Sequence, residues 1–434
     1  MIRSIKRGQR LDSRGKPRVQ VDLTTDRGTF RALVPSGAST GTNEAVEVRD
    51  KDPNIYSGKG VSLVVQNIEC ILTPALVVSG LNVETDLKKI DALMRKTDGT
   101  DDKSRLGANA ILGVSMACAR AGAASLGIPL YEYLRREASG NQKKHVMPVP
   151  GEGTMHSGNT MPFQEFMIAP VGASSMEEAV RIGAEVYQQL KKVLIDRFGP
   201  SVIAIGDEGG FAPPISHPHE ALDLLVQVVE DCKYDGSVNF AIDPASSEFY
   251  QDGNYNLGFK GSGSNTRTTQ QLKELYLSLL HRYPIILLED PFAEEDCSSW
   301  ADFNKECPVD LVGDGLLVTN PKYIHQATRS KTCNALLLKI NQIGTITEAI
   351  EEANLAYSFG WSVFVSHRSG DTTDDFIADM VVALETGHIK SGAPCRGERV
   401  AKYNRLTDIK AKLIDGGEDH IYAGENFRVA HTLE

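Results

Sequence analysis

The sequence predicts an α/β protein whose larger part is a (β/α)8-type barrel. Short apolar runs recur along the chain, each closing on a charged residue. Most intervals between them hold an amphipathic helical stretch, such as 177–194 and 268–280, and strands alternating with helices build a parallel sheet. The 434 residues also leave room for a barrel of about 250 residues with a smaller domain before it.

That smaller N-terminal part reads as strands followed by helices. Arg18-Val19-Gln20-Val21-Asp22-Leu23 alternates with period two, as does Phe30 to Val34, and Asp26-Arg27-Gly28 between them marks a hairpin turn. Ser104 to Gly127 is rich in Ala, Leu, Met and small residues, as suits a tightly packed helix. At residues 138–144 the composition turns polar, which predicts a linker between domains spanning 1–138 and 145–434.

After the linker come Phe163-Gln164-Glu165, Val202 to Ile205 leading to Glu208, Phe240 to Asp243 and Ile285 to Glu289. Leu311 to Asp314, Ala335 to Lys339, Val363 to His367 and His388-Ile389-Lys390 complete eight units. A charged residue after one strand is commonly just a solvated loop. Eight in series point instead to the mouth of a barrel, where C-terminal strand ends carry the active site.

Composition narrows the function. Hydrophobic residues make up 41% and charged residues 24%, which excludes a disordered, collagen-like or disulfide-scaffold class. Lys plus Arg minus Asp plus Glu is 46 − 57 = −11, which argues against a general nucleic-acid or anionic-membrane binder. No run approaches the roughly 18–20 apolar residues of a spanning helix. Met1 to Arg7 has no apolar region behind it, so no secretory signal is expected. The seven cysteines are scattered without a Cys-x-x-Cys pair, which points to a reducing cytoplasm and to small core side chains.

The strand-end residues sort by chemistry. Asp243, Glu289 and Asp314 supply three hard oxygen ligands, which suit Mg²⁺ better than Zn²⁺; the plain alternative is three solvated acids. Lys339, after a Leu-Leu-Leu run, is either a desolvated base or a snorkelling side chain. Lys390 could hold Lys339 neutral or bind a substrate anion. Glu165 and Glu208 form a carboxyl pair suited to acid work. His367-Arg368-Ser369-Gly370 joins a titratable ring, an anion fork and a hydroxyl, a set that suits phosphate. Metal-ligating acids, a lysine and a carboxylic acid describe abstraction of a proton α to a carboxylate, followed by loss of a β leaving group.

At this point the chain resembles the enolase (phosphopyruvate hydratase) family over nearly its whole length. The matching strings include Ser36-Gly37-Ala38-Ser39-Thr40-Gly41, Gly206-Asp207-Glu208-Gly209-Gly210, Glu289-Asp290-Pro291-Phe292, residues 338–345, Ser366-His367-Arg368-Ser369-Gly370 and Lys390-Ser391-Gly392-Ala393-Pro394. The resemblance implies an N-terminal α+β domain capping an irregular barrel. It also implies a cytoplasmic hydro-lyase that interconverts 2-phosphoglycerate and phosphoenolpyruvate with two Mg²⁺ ions, the second arriving with substrate. By the same resemblance, Lys339 is the base, Glu208 the acid and Glu165 its partner. Asp243, Glu289 and Asp314 would hold the tighter ion, and Ser39 the second. Lys390 and His367 would contact the substrate, and Arg368 with Ser369 its phosphate. His156 stands in the place of the family's loop histidine.

Four departures stand out. The family's Asn-Gly-Gly run is missing before His156, so that loop is expected to be shorter. Gly315 replaces a second Asp, and Pro244 replaces a small residue. Gly8, Gln20, Asp408 and Ala411 stand where family dimers form ion pairs, which weakens the expectation of a homodimer. These changes also motivate a second reading, a paralogue acting on another phosphorylated or phosphonylated carboxylic acid. The Gly37-Ala38-Ser39-Thr40-Gly41 match to a hydrolase nucleophile elbow precedes any parallel sheet. A non-catalytic scaffold is opposed by the intact lysine and acid set.

Overall fold

The computed structural model describes residues 1–37, 41–138, 144–156, 160–261, 263 and 265–433. The polar segment 139–143 and Ser39 lie outside these residues.

The N-terminal part opens with an antiparallel meander, β1 (Ser4–Leu11), β2 (Pro17–Thr25) and β3 (Gly28–Leu33). The hairpin turn falls where Asp26-Arg27-Gly28 predicted it; β1 is an addition, because its polar run hides the strand. Helix α1 (Ala108–Leu126) packs across this sheet and buries nearly all its small residues. A helical segment, Ser62–Ser79, is long and apolar enough to span a membrane by length and composition, contrary to the sequence expectation. It carries Glu69, and its Val64, Ile68, Leu72 and Leu76 face is buried in the core. Among the cysteines only Cys118 and Cys333 are buried, and Cys70 is exposed.

The barrel closes through eight strands: β4 (Val149–His156), β5 (Glu165–Ala169), β6 (Asn239–Asp243), β7 (Ile285–Glu289), β8 (Asp310–Gly313), β9 (Ala335–Leu338), β10 (Ser362–Ser366) and β11 (His388–Lys390). Both faces are apolar because one set of alternate residues fills the interior and the other meets the helices. Met167, Ala241, Leu287, Val312, Leu337 and Phe364 form the interior cluster. Ile242, Leu288, Leu311, Leu336 and Val363 belong to the outer core. One step of two residues beyond the interior set reaches Glu165, Asp243, Glu289, Asp314 and Lys339. Period-two alternation therefore aims all of them inward at one rim.

Three expectations are corrected. The sheet is not all parallel: β5 runs antiparallel to both β4 and β6. Glu165 accordingly starts its strand rather than ending it, yet it reaches the same rim. Residues 202–205 form no barrel strand; Pro200–Ile203 is a 3-10 turn. The physical reason is directional. Because β5 descends from the mouth, helix α2 (Met176–Phe198) must climb back, and the segment after it lies at the mouth. A second helix, Pro218–Asp231, then descends to β6. The stretch expected to be a shortened loop, Pro150 to His156, is strand β4 itself.

The N-terminal part is sewn to helix α3 (Ile346–Ser358) by buried polar contacts. Asp91 accepts from Ser115 Oγ (3.0 Å), Thr347 N (3.1 Å) and Thr347 Oγ1 (2.8 Å). Ser115 Oγ accepts from Ile346 N at 3.0 Å. These oxygens cap orphan amides at the start of α3. Asp91→Ala strands three buried donors, so urea unfolding should show a loss of about 2–4 kcal/mol.

His388 projects into the barrel beside Phe364 and Phe427, and neither ring nitrogen has a hydrogen-bond partner among the described residues. Burial pushes its pKa down to about 3. The unfolded chain binds a proton near pH 6.5 and the native ring does not, so this site's contribution is intact above pH 6.5 and falls away between there and about 3. The slope is about 1.4 kcal/mol per pH unit. His388→Leu should therefore flatten the stability profile, losing about 2 kcal/mol less than the parent between pH 7 and 5.

Candidate active site

The mouth encloses a cavity of about 160 Å³ bordered by Glu165, Glu208, Asp243, Asp314, Lys339 and Lys390, among others. Lys390 Nζ lies 2.9 Å from Asp243 Oδ2, 2.8 Å from Glu289 Oε2 and 3.4 Å from Glu165 Oε2. Burial disfavours its charge, but Asp243, Glu165 and Glu289 outweigh burial and hold the ammonium well above the ordinary lysine range. Lys339 Nζ donates to Asp314 Oδ2 at 2.5 Å. The sequence suggested that desolvation would make Lys339 easier to deprotonate. Burial does act that way, but Asp314 prevails and the net shift is upward.

Asp314 is fixed on all sides. Burial opposes its charge, and Lys339 with Arg368 outweighs burial to hold it low. Gln342 Nε2 donates to its other oxygen at 2.8 Å. Asp290 takes the backbone N–H of Asp314 and of Gly315, each at 2.9 Å, from a left-handed backbone at φ 40°. Burial, then Asp314 and Asp243, push Asp290 up to about 8.

The opposite wall holds the carboxyl pair. Glu208 accepts from Ser369 Oγ at 2.8 Å and lies 2.9 Å from His367 Nε2 and 3.8 Å from His156 Nε2. Burial opposes the Glu208 charge, but His367 above all outweighs it and keeps the carboxyl well below its usual range. Glu165 moves up, through burial and then repulsion from Glu208. The two carboxyls are therefore pushed in opposite directions, Glu165 towards its protonated form and Glu208 towards its charged form. Burial also lowers His367 to about 4.

The predicted residues therefore meet at one mouth. Ser39 lies outside the described residues. Asp243, Glu289 and Asp314 are interleaved with the two lysines. Among the described residues, the ligand atoms gathered within 4.8 Å of one another are those of His156, Glu165 and Glu208. The acids still fit a divalent cation. Among the described residues Glu289 Oε1 is buried without a hydrogen-bond partner, and burial followed by repulsion from Asp243 raises its pKa well above normal. Hard, mutually repelling oxygens are what Mg²⁺ takes.

Sequence reasoning missed Glu44, Gln342, Asp290 and Arg399. Glu44, on the N-terminal segment, accepts from Arg368 NH2 at 3.2 Å through each oxygen. Arg399 shares the buried face of helix α4 (Gly397–Gly416) with Tyr403, Leu406 and Ile409; a charge on an apolar helix face was the available signal. Gly370 lets the capping segment close on this wall. A Cβ there would lie 2.2 Å from Arg14 NH2 and 2.7 Å from Ser36 O, and the backbones of Ser36 and Gly370 exchange hydrogen bonds.

A closed barrel with acids and lysines at its mouth, packed against an α+β segment, fits an enzyme of the lyase class. Two family models match the chain: the enolase N-terminal domain over residues 2–134 and the enolase C-terminal TIM barrel domain over 144–431. The chain belongs to the enolase family, whose members typically use Mg²⁺.

Lys390→Met leaves Asp243, Glu289 and Glu165 facing one another. Without metal it should lose about 3 kcal/mol of stability in denaturant unfolding, and added Mg²⁺ should recover part of that loss.

Proposed function

We propose that the protein catalyses the reversible dehydration of 2-phosphoglycerate to phosphoenolpyruvate. The observation that carries this reading is the placement of Lys339 and the Glu165–Glu208 pair on opposite walls of one buried cavity, with Lys390 and Arg368 between them as anion partners. Lys339 takes the proton from the carbon α to the carboxylate. Burial and the charges of Arg368 and Lys390 oppose its charge, but Asp314 prevails and the lysine's pKa is raised in the ligand-free site; loosening of the Asp314 contact on ligand binding frees it to act as the base. The C–H pair becomes the new C=C bond, and the C–O bond to the β hydroxyl breaks. The carboxyl pair supplies the proton with which the hydroxyl leaves as water. Arg368 and Ser369 hold the phosphate, and Lys390 the carboxylate. Asp243, Glu289 and Asp314 would hold Mg²⁺, which stabilises the extra negative charge on the substrate carboxylate.

The test is phosphoenolpyruvate formation with Mg²⁺, beside EDTA and Lys339→Ala. Turnover should vanish in EDTA and fall at least about 10²–10⁴-fold in the variant. Absence of turnover from folded, Mg²⁺-binding protein would overturn the reading.

One observation favours a second substrate. Gly315 borders both the catalytic cavity and an adjoining one of about 250 Å³ lined by Thr42, Glu294, Tyr323 and Gln326. A Cβ at Gly315 would lie 3.2 Å from Asp290 Oδ2 and 3.3 Å from Glu294 Oε2, so any side chain would crowd the boundary between the two cavities. A larger phosphorylated or phosphonylated carboxylic acid would use that space. If it does, Gly315→Asp should lower kcat/KM for the larger acid while sparing 2-phosphoglycerate.

A further inference from the structure

Arg399 is wholly buried and comes from the outer helix α4, not from the barrel rim. Its NH1 lies 2.6 Å from His367 Nδ1 and donates to Arg368 O at 2.6 Å. NH2 donates to Ser369 O at 2.8 Å and to Asp207 O at 3.2 Å. Asp371, 3.4 Å from NH1 and 3.0 Å from Lys402 Nζ, balances the charge. One guanidinium thus ties together two mouth loops, the one carrying Glu208 and the one carrying Arg368 and Ser369.

A guanidinium has five donors and no acceptor. Opposite it, His367 Nδ1 can only accept. The ring proton must then sit on Nε2, which lies 2.9 Å from Glu208 Oε2. Ser369 Oγ, on the loop Arg399 grips, donates to the other Glu208 oxygen at 2.8 Å. The two side chains that approach the Glu208 carboxylate, His367 and Ser369, both trace back to the same buried arginine.

We propose that Arg399 is a positioning residue for the acid half of the site: it fixes His367 as the Nε2–H tautomer and clamps the Glu208 loop to the Arg368–Ser369 loop. Lysine cannot replace it fully, because a single ammonium lacks the planar fork that reaches a ring nitrogen and three carbonyls together. The role in turnover rests on the proposed dehydration, whereas the tautomer is a property of the resting protein.

The experiment follows the ¹⁵N-histidine side-chain spectrum of the full-length protein, with the His367 signals assigned by their loss in His367→Asn. The parent should show a protonated Nε2 and an unprotonated Nδ1 at His367. Arg399→Met should move proton occupancy to Nδ1, and Arg399→Lys should keep the parent tautomer. With 2-phosphoglycerate, kcat should fall roughly 10–100-fold in Arg399→Met and partly recover in Arg399→Lys. KM should change less than about threefold, because Glu44 holds the Arg368 guanidinium independently. A parent protonated at Nδ1, or a Met variant with the parent tautomer and kcat, would overturn the proposal. If Arg399→Met does not fold, the parent spectrum and Arg399→Lys kinetics decide it. A parent inactive on 2-phosphoglycerate but showing the expected tautomer would sink the dehydration reading and leave the positioning role standing.

Discussion

Lys390 lies within reach of three carboxylates drawn from three strands, and its positive charge offsets their mutual repulsion at the centre of the mouth. Two like charges 4 Å apart repel by about 4 kcal/mol at an effective dielectric near 20, and the mouth gathers several such pairs. The cation is delivered by β11, only three residues long, which also closes the barrel between β10 and β4. Closure of the fold and neutralisation of the site are thus one event. The lysine also shares two of its carboxylates with the residues that fit a divalent cation. Metal binding there redistributes a positive charge the fold already supplies, which keeps the acid cluster intact with or without the ion.

The antiparallel strand β5 decides the shape of the other wall. A descending strand puts its first residue, Glu165, at the rim, and it requires two consecutive helices before the next ascending strand. Between those helices the chain crosses the mouth as a loop, and Glu208 rides on it. Glu208 lies outside the strands; backbone bonds from Ala393 N to Glu208 O at 3.0 Å and between Phe211 and β4 hold its loop, while Ser369 and the nearby His367 hold its carboxylate. Lys339 and Asp314, in contrast, sit at strand ends whose register sets their separation. The two walls are held by different means: one by sheet geometry, the other by a hydrogen-bond network.

This difference also explains what the sequence disclosed. Residues projected by strand alternation were legible: Asp243, Glu289, Asp314, Lys339 and Lys390 follow apolar runs, and their parity aims them inward. Glu208 was found in a glycine-flanked string but assigned to a strand that does not exist, because Val202 to Ile205 has strand composition at a place where chain direction forbids one. The β4 stretch was misread as a loop because Pro150, Gly151 and Gly153 disguise it. Its small inward residues suit a rim crowded by other side chains. Glu44 was not legible, and for Arg399 the sequence offered only a charge on a mostly apolar helix face, with nothing to say what it grips. Each acts across a fold-level contact between segments distant in sequence, and no local pattern encodes that.

The capping segment does more than exclude water. Glu44 forks onto Arg368, and Arg368 is only 4% exposed, so its charge is largely desolvated. Burial opposes that charge, and Glu44 with Asp314 outweighs burial to raise its pKa. An unpaired buried guanidinium would cost several kcal/mol; the carboxylate removes most of that cost and fixes the fork's orientation before any ligand arrives. An anion that binds at Arg368 therefore exchanges with, or adds to, an existing partner. Its net electrostatic gain is a difference between two ion pairs rather than the full value of one. Specificity for a phosphate over a carboxylate at this position then rests on the extra charge and on the Ser369 hydroxyl, because the guanidinium alone serves both.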